Sequence, residues 1–377
     1  MKKGLIMGLF CIMIFCMAGC GSSDSGKTKQ QEIKGTGLKS VDSIWEVNLC
    51  RMKDGILYNN PDGSYLGYFD YGTGAYLPFC AKANCRHDNQ KCQAVRLHKQ
   101  IVVMGADEES VYYLFQDDNG NNTFYRCDRT GENETRIGEF PHFAEGWGAN
   151  QAIVRDKTLI MATNDDQWDE KTNEWKAATS GIFQYDLKTG KAEALCEEKQ
   201  YQVFGDGYQV LGIHDNDLIY AEETTEKKEI WKMDLDSREK TKLLEGWYGS
   251  LLWLADGAVI RTIEEDGLKP LVVYDLESGK ETKPEGLDGI NQVLWEKELK
   301  LAYYGEGYKK DFRYKIYQCD ENGESHLIRQ GEEENLFYPK YQEGDLLIGQ
   351  AGENWDLAYM KKEDFLAGKN NWTVIEE

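Results

Sequence analysis

From about residue 43 onward, apolar and polar positions alternate in short blocks rather than in helical turns. One kind of block is an acidic or Gly-containing turn followed by an apolar strand. It occurs as KDGILYN at 53, DEESVYYLF at 107, DKTLIMAT at 156, DNDLIYAE at 215, DGAVIRT at 256, KELKLAYYG at 297 and GDLLIGQ at 344. A second kind mostly follows about 13 residues later, an aromatic strand running into a turn. Its copies are GYFDYGTG, FYRCDRTG, FQYDLKTG, WKMDLDSRE, VVYDLESG, IYQCDENG and a degraded DLAYMKKED. A third strand usually comes after the turn, as in KAEALCEE, EKTKLLEG and ESHLIRQG.

Asp, Asn, Thr and Gly supply the turn conformations, while Tyr, Val, Ile and Trp suit half-buried strands. Each unit therefore reads as a small antiparallel sheet whose faces are too apolar to stand alone. The units recur roughly 40–60 residues apart, the period of propeller blades. Seven of them predict an all-β fold, a β-propeller of seven four-stranded blades over residues 43–377, with blade boundaries near 44, 96, 145, 200, 247, 290 and 335. An irregular β-sandwich would not account for seven correlated pairs of motifs. Only KKEDFLAG, near the end, reads as helix.

The first twenty residues, MKKGLIMGLFCIMIFCMAGC, are of another character. Lys2 and Lys3 precede an apolar run too short and too sharply ended for a comfortable membrane span, so residues 1–19 read as an export signal. The ending Met17-Ala18-Gly19-Cys20 resembles a bacterial lipobox, with Met17 where that family usually has Leu. The resemblance implies cleavage before Cys20 and a diacylglycerol on its sulfur; Cys11 and Cys16 leave with the signal. Residues 20–42 are polar, rich in Gly, Ser and Lys and free of aromatics, and so read as a flexible tether behind the lipidated cysteine. The expected location is the extracytoplasmic face of the cell membrane, held there by the lipid.

Losing Lys2 and Lys3 takes the net charge from −22 to about −24, a surface that repels phosphate backbones and anionic headgroups. Nucleic acid is excluded as an expected partner; an extracytoplasmic protein or glycan is not. The motif Tyr185-Asp186-Leu187-Lys188-Thr189-Gly190, repeated as Tyr274-Asp275-Leu276-Glu277-Ser278-Gly279, resembles the blade signature of TolB-like and YVTN-type propellers. The chain as a whole is similar to lipid-anchored propeller proteins of clostridia-like bacteria. That resemblance implies a fold and an address, not a reaction.

The densest chemistry is CAKANCRHDNQKC at 80–92, an insertion between the first two blades. Cys80, Cys85, His87 and Cys92 offer three thiolates and an imidazole, a set that suits tetrahedral zinc with no open position. The spacing lacks the C-x2-C knuckle of most structural zinc sites, so a disulfide of Cys80 or Cys85 with Cys92, or one that involves Cys50, stands beside the metal, as does a thiol-redox role. Cys127 and Cys319 occupy a position held elsewhere by Phe69, Tyr185, Met233 and Tyr274, and read as small core hydrophobes. The chain carries no G-x-S-x-G elbow, no H-E-x-x-H and no phosphate-cradling Gly loop. DDNGNN at 117 reads as a hairpin turn, and NDDQWDEKTNEW at 164, with Trp168 and Trp175, as a longer hairpin. The leading expectation is a ligand- or protein-binding scaffold. The alternatives are a glycan- or peptide-directed hydrolase or lyase working at the channel, and a metal or redox protein working through Cys80–Cys92.

Overall fold

The structure is a computed structural model. It describes residues 43–375 apart from 46–48, 53, 60–64, 108, 117–121, 141–151, 156, 170, 173, 202–205, 226, 247, 297, 308–310 and 354. The expected export signal, Cys20, the expected tether and most of the DDNGNN turn thus lie outside the described residues. Seven antiparallel sheets follow one another along the chain. Blade 1 runs from Leu49–Arg51 to Tyr76–Pro78, blade 2 from Ile101–Ala106 to Thr135–Phe140, blade 3 from Ala152–Arg155 to Ala192–Gln200 and blade 4 from Gly207–His214 to Lys240–Gly246. Blade 5 runs from Tyr248–Ala255 to Glu281–Thr282, blade 6 from Gln292–Glu296 to Ser325–Glu332 and blade 7 from Phe337–Glu343 to Thr373–Val374. Each is a four-strand meander in chain order.

Seven buried apolar clusters lie between the blades, each shared by one adjacent pair and one of them joining blade 7 to blade 1. This closes the ring into a seven-bladed β-propeller. It also explains the sequence pattern. A second strand sandwiched on both faces reads as a continuous apolar run: every residue of Gly55–Asn59 is buried, and five of six in Ala258–Ile263. Outer strands meet water on their free edge and carry charge instead, as in Ala192–Gln200 and Lys240–Gly246.

In the turn after the third strand of blades 1 to 6, the Asp side chain accepts backbone N–H groups across the turn. Asp186 takes those of Lys188 and Thr189 (2.9 and 2.7 Å), and Asp234 those of Asp236 and Ser237 (3.1 and 2.7 Å). In blade 7 the degraded motif is replaced by a one-turn helix, Lys362–Leu366, as the sequence predicts.

Two features depart from expectation. The segment Ser43–Trp45 does not begin blade 1. It pairs antiparallel with the innermost strand of blade 3, Ser43 opposite Val154 and Trp45 opposite Ala152, making that sheet five-stranded. Blade 1 starts at Leu49. The residues expected to open blade 2 near 96 instead form a helix, Gln93–Gln100, ahead of the blade's first strand. Its Ala94, Val95 and Leu97 are buried against Leu57 and Leu66 of blade 1 and Met104 and Tyr113 of blade 2. The helix is a wedge between those two blades.

Candidate metal centre

The loop that leads into this wedge holds the Cys/His cluster. The chain leaves the short last strand of blade 1 at Pro78 and crosses to the turn of blade 2, where Ala81 N–H donates to the Thr130 carbonyl (3.2 Å). Gly131, in the left-handed region at φ 79°, allows the Phe79 carbonyl to approach; a Cβ there would sit 3.0 Å from that oxygen. Below the crossing, Arg129 of blade 2 pairs with Asp54 of blade 1.

The loop is built of tight turns. Cys85 N–H donates to the Lys82 carbonyl (3.2 Å) and Cys92 N–H to the Asn89 carbonyl (2.9 Å). Asn84 (φ 61°) and His87 (φ 53°) both take left-handed backbone, which folds the segment back on itself. As a result Cys80, Cys85, His87 and Cys92 converge, their ligand atoms all within 4.8 Å of one another. His87 Nδ1 lies 3.3 Å from Cys92 Sγ, and the imidazole tilts toward the Tyr65 ring at a centroid distance of 6.5 Å.

A zinc ion with ordinary bond lengths requires ligand atoms about 3.8 Å apart for two sulfurs and about 3.6 Å for sulfur and nitrogen. The constellation is therefore of the size that one tetrahedral ion would draw together. Cys80, Cys85 and Cys92 stand as separate thiols, and Cys50, buried in the neighbouring core, is not one of the converging four.

The electrostatics separate the three thiols. The His87 backbone N–H donates to Cys85 and lowers its thiol below the ordinary value, with the other two sulfurs and Lys82 adding to the effect. Burial pushes Cys92 up to about 11, against a lowering contribution from the Val95 N–H at the start of the helix. A divalent cation bound here would displace the protons of the thiols and neutralise the thiolates. The other cysteines are different in kind. Cys127 and Cys319, pushed up to about 12 by burial, are the apolar fillers that the blade alignment predicts.

The remaining candidates are not drawn into one place. His214 ends the first strand of blade 4 and His326 lies on the outer strand of blade 6, near Asp320 and Glu324 in an exposed turn. Trp168 and Trp175 are paired in the backbone register of the long blade 3 hairpin. The helix wedge and the pairing of Ser43–Trp45 were not apparent from the sequence. For the helix a signal existed, three apolar positions at 94, 95 and 97 that fall on one helical face.

Neither the protein-family models nor the curated proteins contain a match to this chain. Solved structures do resemble it. An oligogalacturonate lyase from Vibrio parahaemolyticus is similar over 85% of this chain and 91% of its own, at 10% identity and a TM-score of 0.52. An acylaminoacyl peptidase from Pyrococcus horikoshii is similar over 89% of this chain and 53% of its own, at 8% identity and a TM-score of 0.50. TolB from Acinetobacter baumannii is also among them, at 14% identity and a TM-score of 0.39, over 84% of this chain and 76% of its own. At such identities the likeness is one of fold.

Proposed function

We propose that the protein is a lipid-anchored, extracytoplasmic binding scaffold, in which one zinc ion, held by Cys80, Cys85, His87 and Cys92, fixes a recognition loop at the junction of blades 1 and 2. The observation that carries this reading is the convergence of the four ligand atoms within 4.8 Å on a loop without a strand or helix of its own. Three sulfurs and one nitrogen form a soft donor set that suits zinc over calcium or magnesium. Four protein ligands fill a tetrahedral shell, so the ion's role is to hold the backbone rather than to bind or activate a substrate. The ring around it supplies a rigid frame, and binding specificity resides in loops on such a frame. The lipobox-like ending places a diacylglycerol on Cys20, and the polar residues up to 42 space the propeller from the bilayer.

Metal and thiol analysis of the purified full chain, with mass spectrometry of its N-terminal peptide, tests this. The expected result is one zinc per chain, seven titratable thiols after denaturation in chelator, and a diacylglyceryl mass on Cys20. Absent zinc together with five thiols would mean a disulfide in the loop and would overturn the metal reading. An unmodified Cys20 would overturn the anchor.

A further inference from the structure

The zinc loop is also a basic island on an acidic protein. Between Cys80 and Gln100 the chain carries Lys82, Arg86, Lys91, Arg96 and Lys99 against the single acid Asp88, within a chain of net charge −22. Beside the loop lies an open cleft of about 510 Å³. One wall is Lys82, Lys91 and the first turn of the helix, with Gln93 and Arg96; the other is the blade 2 turn, with Glu132 and Glu134. Arg96 is already committed, since its guanidinium pairs with Glu134, which also accepts the Tyr113 hydroxyl. Lys82 and Lys91 are exposed and form no ion pair among the described residues; the Lys82 ammonium donates only to the Lys91 carbonyl, at 3.4 Å.

From this lining we infer that the cleft binds an acidic saccharide, its carboxylate held between Lys82 and Lys91 and its hydroxyls by Gln93, Glu132 and Asn133. Two ammonium groups without ion pairs, lining one cleft, attract an anion, and charge-assisted hydrogen bonds to a carboxylate are the strong ones. The opposite wall decides what kind of anion. Glu132 and Glu134 would repel a polyanion or an anionic bilayer, whereas carboxylates and side-chain amides accept and donate well to sugar hydroxyls. The volume falls within the range of small-ligand sites and admits a short oligosaccharide rather than one small ion.

The site rests on the zinc-held loop. Lys82 follows Cys80 by two positions and Lys91 directly precedes Cys92, so a closed metal shell fixes the spacing of both amines before any ligand arrives. Metal removal therefore weakens the ligand as well, because its binding then also has to order the loop.

The test is calorimetric titration of the full chain with digalacturonate, with cellobiose and inorganic phosphate as comparisons and zinc measured in every sample. Digalacturonate is expected to bind more tightly than either comparison, with affinity falling as sodium chloride rises. In a K82A/K91A variant the affinity should drop by about tenfold or more, with zinc content unchanged. Equal binding by variant and wild type, no binding of digalacturonate, or equally tight binding of cellobiose or phosphate would overturn the inference. Zinc present without saccharide binding removes the cleft site and leaves the metal centre. Saccharide binding through both lysines in a zinc-free protein keeps the cleft site and removes the metal centre.

Discussion

Arg238 shows how far a single side chain can depart from the repeat. In the turns of blades 1, 3 and 5 the residue four past the turn Asp is a glycine with φ near 65–70°: Gly74, Gly190 and Gly279. Blade 4 makes the same turn, with Arg238 N–H bonded to the Asp234 carbonyl at 2.9 Å, but does so with Arg238 at φ 63°. Left-handed backbone costs an L-residue about 1 kcal/mol, which glycine avoids. The exposed contact to Glu193, 3.6 Å away, offsets little of that. Replacing Arg238 with Gly is therefore expected to raise unfolding stability by about 0.5–1 kcal/mol in urea titration; a loss of stability would show that the Arg238 stem packs against its neighbours to real effect. The four candidate metal ligands could be named from the sequence because Cys and His are chemically unmistakable. Their convergence could not, since it depends on left-handed backbone at Asn84 and His87, two residue types that do not signal it reliably.

Among the elements, the Asp turns are the recurring device and the one that titrates. Asp128, Asp186, Asp234, Asp275 and Asp320 are all held below the ordinary carboxylate value. The largest cause is the Thr130 side chain for Asp128, the Thr189 backbone N–H for Asp186, the Ser237 N–H for Asp234, the Ser278 side chain for Asp275 and the Glu324 N–H for Asp320. Asp234 is lowered furthest, to about 2 from 3.8. A carboxyl depressed in the folded state contributes stability that is complete above its unfolded value and is lost as pH falls toward the folded one. Chemical-denaturation midpoints are thus expected to fall between about pH 4 and pH 2, and to fall less in a D186N/D275N variant, whose stability at neutral pH is lower. A variant that tracks the wild type through that window would contradict the role given to these turns. The turn elements were the most legible part of the sequence, since Asp, Thr and Gly at fixed offsets carry their own geometry. The helix Gln93–Gln100 was less so: eight residues with three apolar positions look like a strand opening blade 2 until its burial against both blades is known. The pairing of Ser43–Trp45 with blade 3 left no local trace at all, because a three-residue strand takes its partner from the fold rather than from its own pattern.

For the whole molecule, the seam between blade 7 and blade 1 is the place where closure depends on side chains. No sheet contains strands from both ends of the described chain, so the ring is fastened there by packing and polar contacts alone. Ile56, Phe69 and Tyr71 pack on Leu346, Ile348 and Leu357. Arg51 bonds Glu343 at 2.6 Å, donates to the Gln342 carbonyl at 3.0 Å and lies over the Tyr341 ring at 4.9 Å, while Tyr58 reaches the Trp355 carbonyl at 3.0 Å. Glu343 is only 2% exposed, so removing Arg51 takes a cation away from a buried carboxylate. The expected cost of Arg51→Ala is about 3 kcal/mol by urea unfolding; a cost below about 1 kcal/mol would mean that the apolar seam alone closes the ring.

The proposed zinc loop would have the corresponding role at the junction of blades 1 and 2, where a helical wedge adds to the direct packing of the two blades. The most direct test is X-ray absorption at the zinc edge on the purified full chain. The account predicts a closed first shell of three sulfurs at about 2.3 Å and one nitrogen at about 2.0 Å, with the nitrogen lost in His87→Ala. A shell dominated by oxygen or nitrogen, or one unchanged by that substitution, would contradict it.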